Sequence, residues 1–205
     1  MNRMKSLRRS GILFCCAAAL SLSLRPATAD DDVAAIQVVE RLHTGLLQAM
    51  HGGTELGHAG RRELLAPIVN ATFDFVTISR IVLGTHWASL TEQQRRDFME
   101  RFAALTTATY ASNFSSYGGE TFTTNGSEHQ ASSVIVHTQL HTGTETIRFD
   151  YVLRGPDWHI VNVLAQGVSD IALKRAEYSA VIASQGFDAL LAKLDEKIRQ
   201  LIANG

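Results

Sequence analysis

The stretch from Ser133 to Gly167 constrains this chain most, because three β-signals follow one another there and lead straight into an amphipathic helical segment. In the first, Val134, Val136, Thr138 and Leu140 alternate with Ile135, His137, Gln139 and His141, the period of two of a strand with one buried face. In the second, Ile147, Phe149, Tyr151 and Leu153 alternate with Arg148, Asp150 and Val152. The third, Trp158 to Ala165, is apolar on both faces apart from His159 and Asn162, which predicts a strand covered on both sides. Residues 141–144 and 154–157 carry turn chemistry at the two joins. An antiparallel meander with one apolar face is expected.

The N-terminus reads as an address. Arg3, Lys5, Arg8 and Arg9 precede an apolar run from Gly11 to Leu24, and Ala27, Thr28 and Ala29 supply small residues at the spacing that signal peptidase reads. That run of 14 residues is short of the roughly 20 that a membrane-spanning helix needs. Residues 1–29 are therefore expected to be a secretory signal cleaved after Ala29, and 30–205 a single soluble, exported domain. Cys15 and Cys16 leave with the leader, so the mature chain forms no disulfide and must rely on its core. The leader also takes five basic residues and no acid, leaving 14 basic against 20 acidic residues, a net charge of −6. Such a balance excludes nucleic acid as a partner and disfavours durable attachment to an anionic membrane surface.

Helical signals flank the meander. Asp30, Asp31 and Asp32 open a first helix carrying Val33, Ile36, Val39, Leu42, Leu46 and Met50, which Gly52 and Gly53 end. A second, from about Arg61 to Val69, contains Pro67, which should kink or shorten it. Asp74 is placed to cap a third helix running to Gly84. Thr91 and Gln94 form a capping box for a long helix with Phe98, Phe102, Leu105, Thr109 and Tyr110 inward. Thr121 to Thr124 is a short edge strand before a turn at Asn125-Gly126. After Gly167 a helix carries Ile171, Tyr178, Val181 and Ile182 to a cap at Gly186, and a last helix follows with Leu190, Leu194, Ile198 and Leu201 inward. The layout predicts one α+β domain, a curved antiparallel sheet of about four strands covered on one face by several helices.

Chemistry-bearing motifs are sparse. His137 and His141 lie four residues apart on one strand face, roughly 13 Å, too far for one zinc ion. His43, His51, His58 and His86 show no ligand pairing, so the histidines read as solvated, and neither a metal nor a cofactor is implied. Asp74, Asp150 and Tyr151 are the residues an acid–base reaction in an apolar pocket would recruit. Asp74, however, has a capping role, and Asp150 alternates out of the inward face. The inward side chains Val136, Phe149, Tyr151, Ile160, Phe98, Phe102, Leu105 and Tyr110 either fill one another as a core or line a cavity. Periodicity cannot separate the two, since both need the same residue types.

Two blocks carry a resemblance. From Phe73 the chain reads F-D-F-x-x-I-x-x-x-x-L-G-x-x-W, then T-x-x-Q-R-x-x-F-x-x-x-F-x-x-L-x-x-x-x-Y to Tyr110. From Trp158 it reads W-H-I-V-N-V-L-A-Q-G-V-S, followed by helix, Gly186 and a closing helix. Together they resemble the MlaC, or toluene-tolerance, family across nearly the whole mature chain. The resemblance implies a periplasmic lipid carrier whose sheet and helices surround an apolar pocket. It implies transient partners in membrane lipid-transport complexes with mammalian-cell-entry domains; the oligomeric state is left open by the sequence, with a monomer favoured. Asp170, Lys174-Arg175 and Tyr178 depart from the family pattern, as does Asn162. G-V-S-D-I-A-L-K-R-A-E-Y resembles instead the hopanoid-associated HpnM branch, which favours a polycyclic lipid over a phospholipid. Carried onto this sequence, the lipid-binding set is Phe98, Phe102, Leu105, Tyr110, Val136, Phe149, Tyr151, Trp158, Ile160, Ile171 and Tyr178, with Arg175 for a polar headgroup. An enzyme acting on a small apolar substrate in the same pocket, or an adaptor that carries nothing, are the alternatives.

Overall fold

The computed structural model describes residues 29–204, so all but the last residue of the expected leader lies outside the described residues. α1 (Ala29–Thr72) is two helices run together across a break at Gly53 (φ 43°, ψ −130°) and Gly57 (φ 58°, ψ 179°). Left-handed angles carry no Cβ penalty in glycine, so the chain turns there. Pro67, expected to kink the second half, sits inside the helix; the non-helical angles fall at the two glycines.

One buried cation fastens this break. Arg61 is 2% exposed, and its Nη1 donates to the carbonyl of Gly53 at 2.7 Å while its Nε donates to that of Ala111 at 2.8 Å. Ala111 belongs to the last turn of the long helix α4 (Glu92–Asn113), where unpaired carbonyls and the negative end of the helix dipole both favour a cation. Arg61→Met keeps the apolar stem but leaves both carbonyls unpaired. It is expected to cost about 2–3 kcal/mol in denaturant unfolding.

Local signals set the other helix ends. Asp74 Oδ1 accepts from the Thr77 N–H at 2.9 Å and starts α2 (Phe75–Leu83), which ends at Gly84 with φ 54°. After the short α3 (His86–Ser89), Thr91 Oγ1 accepts from the Gln94 N–H and Gln94 Oε1 accepts from the Thr91 N–H, the expected capping box.

The sheet has five strands in the order of the chain, all antiparallel: β1 (Thr121–Gln130), β2 (Ser133–His141), β3 (Thr146–Arg154), β4 (His159–Ala165) and β5 (Val168–Ser169). β5 raises the expected count of about four by one. Asn125-Gly126 is not a turn: the register shifts between Thr124 and Gly126, so a β-bulge lengthens the expected short strand to ten residues. The register pairs Val136 with Tyr151, Thr138 with Phe149 and Leu140 with Ile147, all on the helix-covered face. Asp150 points to the other face as its alternation requires, yet it is only 8% exposed, because His137 Nδ1 (2.8 Å) and Arg148 Nε (3.2 Å) close over its carboxylate.

α1 crosses the sheet, touching β1, β2 and β4, and α4 packs beside α1. α5 (Asp170–Gln185), capped by Ser169, and α6 (Phe187–Asn204) complete the helical layer, with α2 and α5 against β4. No helix among the described residues is long and apolar enough to cross a membrane. The outcome is the α+β architecture that the alternation and the helical stripes predict.

Candidate functional site

A cavity of about 490 Å³ lies between α4 and strands β2 to β4. From α4, Phe102, Leu105, Thr106, Thr109, Tyr110 and Asn113 face it at the three- and four-residue spacing of one helical stripe. From the sheet come Leu140, Ile147, Phe149, Tyr151 and Val163, every second residue of their strands. Phe73 and Phe75 close one side. Phe73 is tied to the sheet by a bridge to Ile160, and Phe75 meets Phe102 edge-on with ring centroids 6.1 Å apart. Phe114 and Tyr110 extend this aromatic wall at 5.9 Å.

Polar groups gather where the cavity meets solvent. Asp170 and Lys174, one turn apart on α5, form an ion pair at 2.7 Å with side chains 54% and 25% exposed. Asn162 Oδ1 accepts from Ser169 Oγ at 3.0 Å. Glu120 is half-buried and accepts from the Gly118 N–H at 2.5 Å, which holds its carboxyl below the usual range. The interior differs in kind: Phe102, Leu105, Tyr151 and Ile171 are all buried.

Behind Tyr151 lies a histidine that sequence pattern assigned to solvent. His43 is 4% exposed, stacked on Phe122 at 3.8 Å, and shares a 3.0 Å hydrogen bond between its Nε2 and Tyr151 Oη. Burial pushes its pKa down to about 3, so it is neutral and nearly without proton affinity at pH 7. His58 is a second correction: it is buried, with Nε2 3.3 Å from the Ala108 carbonyl, and desolvation lowers its pKa too. His43 lies four residues after Val39 and three before Leu46, on the buried stripe of the first helix, so its spacing did carry the signal; His58 directly follows Gly57, where the helical spacing is broken. Burial likewise raises Tyr110 and Tyr151 above the ordinary phenol range, so both are neutral.

Six of the twelve residues expected to bind lipid line this cavity: Phe102, Leu105, Tyr110, Phe149, Tyr151 and Ile171. The others sit elsewhere. Phe98 and Tyr178 are buried behind Phe102, with Tyr178 edge-on to both rings at 6.0 and 6.2 Å. Val136 and Ile160 are fully buried core. Trp158 occupies the β3–β4 turn with φ 51°, edge-on to His129. Arg175 is exposed, and its guanidinium lies over the Gly84 cap, where a Cβ would meet it at 3.2 Å. Among the wall residues that sequence reading missed, Leu140 and Ile147 had a signal, since they share the alternation of Phe149 and Tyr151. Met50, Phe114 and Lys174 had none, because only the spacing of α1, α4 and α5 in space brings them to the opening.

This geometry has known counterparts. A phospholipid-binding protein from Ralstonia solanacearum, solved in complex with a phospholipid, superposes with a TM-score of 0.69 at 21% sequence identity, covering 83% of this chain and 97% of that one. That likeness establishes the fold. The family model described as MlaC protein matches residues 40–196, a span that includes the break in α1, the whole sheet and every wall of the cavity. The chain therefore belongs to the MlaC family.

Proposed function

We propose that this protein is a soluble periplasmic carrier that holds one membrane lipid in the α4–sheet cavity and passes it between membrane transport complexes. The observation that carries the reading is the division of the cavity into a buried apolar interior and a polar, solvent-facing rim. A lipid needs both. Burying a tail is worth roughly 0.8 kcal/mol per methylene, so the interior offsets extraction from a bilayer while the rim keeps the head wet. The basic residues, apolar run and small residues of positions 1–29 support export.

The run from Gly167 to Tyr178 that resembles HpnM supports a hopanoid or related polycyclic lipid, with phospholipid second.

An acid–base enzyme is the poorer fit. Asp74 is held at the α2 cap, Asp150 faces away from the cavity, and His43, the one imidazole bonded to Tyr151, is a very weak base. Native mass spectrometry of the protein purified from its own exported compartment, followed by solvent extraction, tests the proposal. One bound lipid per chain is expected, with a mass that separates a polycyclic from a two-tailed cargo. Protein that emerges empty, and stays empty when offered both, overturns the carrier reading.

A further inference from the structure

The hydroxyls that line the cavity are not equivalent. Thr106 and Thr109 donate to the carbonyls of Phe102 and Leu105, both at 2.8 Å, and Tyr151 Oη shares a 3.0 Å bond with His43 Nε2. Tyr110 differs from all three. Among the described residues nothing pairs with its hydroxyl, and the oxygen is not sealed in protein, so it opens on the cavity that the side chain lines. Phe73 and Phe114 flank the ring, with centroids 6.1 and 5.9 Å away, and limit how far it can turn. Burial keeps the phenol neutral, hence a donor. The other uncommitted donors stand farther out. Asn113, which is exposed, lies three residues nearer the end of α4, a rise of roughly 4.5 Å. The Asn162 amide and Lys174 sit with Asp170 where the cavity meets solvent. A wetted donor gives up a water to bind a ligand and gains little, whereas a donor among apolar walls has more to gain from an acceptor brought in with the ligand.

From this arrangement we infer that Tyr110 sets the depth at which the cargo sits, by donating a hydrogen bond to an uncharged oxygen at the junction of hydrocarbon and head, an ester carbonyl or a hydroxyl. The inference rests on the carrier reading and deepens it. It concerns the first oxygen past the hydrocarbon only; whatever head lies beyond, charged or not, meets the rim. A cargo oxygen carried inward loses water, and Tyr110 is the group that replaces it. A pure hydrocarbon gains nothing there and is held by burial alone.

The test uses delipidated protein with diphenylhexatriene, a hydrocarbon dye that has no acceptor, as the reporter of the cavity, displaced by methyl palmitate or by hexadecanol. Tyr110→Phe keeps the ring and its packing and removes only the donor. It is expected to weaken methyl palmitate, hexadecanol or both about threefold to tenfold more than it weakens the dye, the worth of one net hydrogen bond. A loss confined to one of them names the acceptor as ester or hydroxyl. Where the ester is weakened, methyl palmitate isotope-labelled at its carbonyl gives a second readout: its stretching frequency should be lowered in the unaltered protein and rise again in Tyr110→Phe. Dye and lipids weakened alike would mean that the side chain acts through shape, and affinities that do not move would mean that no bond is made. Either result overturns the inference and leaves the carrier intact. If neither the dye nor either lipid binds the unaltered protein, the carrier reading falls and the inference with it.

Discussion

Tryptophan at position 163 is expected to empty the protein. Val163 pairs with Tyr151 across β3 and β4 and faces the cavity, so an indole there grows into open space instead of into packed neighbours. It would displace three to four methylenes of cargo at about 0.8 kcal/mol each, roughly a hundredfold in affinity or more. The protein itself should keep its unfolding midpoint within about 1 kcal/mol, since filling a void adds contacts. Native mass spectrometry of Val163→Trp beside the unaltered chain reads the loss directly, and a variant that still co-purifies with lipid would place the cargo elsewhere. The same residue at Val136, an equally apolar position on the same sheet face, is a different experiment. Val136 is fully buried in packed core, so the indole there should cost stability without informing on cargo.

Acid should destabilise the fold through His43. Unfolded, its imidazole takes up a proton near pH 6.5; folded, it does so only at about 3. Between those values the unfolded chain binds more protons than the native one, so stability falls as pH falls from 6.5 and levels off below about 3. The full effect is about 3–5 kcal/mol for a shift of this size. Carboxylates contribute acid sensitivity of their own, so the informative quantity is a difference. His43→Gln, which can still bond Tyr151, should flatten the unfolding-free-energy profile between pH 6.5 and 4 relative to the unaltered chain. Parallel profiles would mean that His43 is protonated in the native state, against its burial.

Much of this was legible in the residues. Alternation from Val134 to Leu140 and from Ile147 to Leu153 named the inward face correctly, because a period of two leaves no freedom once one face is buried. Asp74, Thr91 and Gly186 set helix ends where they were expected, since capping is a local hydrogen-bonding matter. What failed was information that lives between elements. Phe98 and Phe102 lie on one stripe of α4, yet only Phe102 reaches the cavity, because Tyr178 and Phe187 from α5 and α6 close over Phe98. Val136 and Tyr151 face each other in register, yet one is core and the other wall. Arg175 looked free to meet a head group and was drawn instead to the C-terminal end of α2, while Lys174, one residue away, took the rim. No periodicity encodes such distinctions, which depend on where two layers part.

The bulge at Gly126 has a meaning beyond local geometry. β1 is the sheet's long outer edge, ten residues whose free backbone groups would ordinarily invite another strand. At Gly126, with φ 124°, the ladder slips by a residue midway along, so an incoming strand in register with Thr121–Thr124 is out of register with Ser127–Gln130. A neighbour can pair with half of this edge, never the whole. For a chain with no cysteine beyond Cys16, that mismatch is a guard against edge-to-edge fibril growth and against exchange of strands between copies at high concentration.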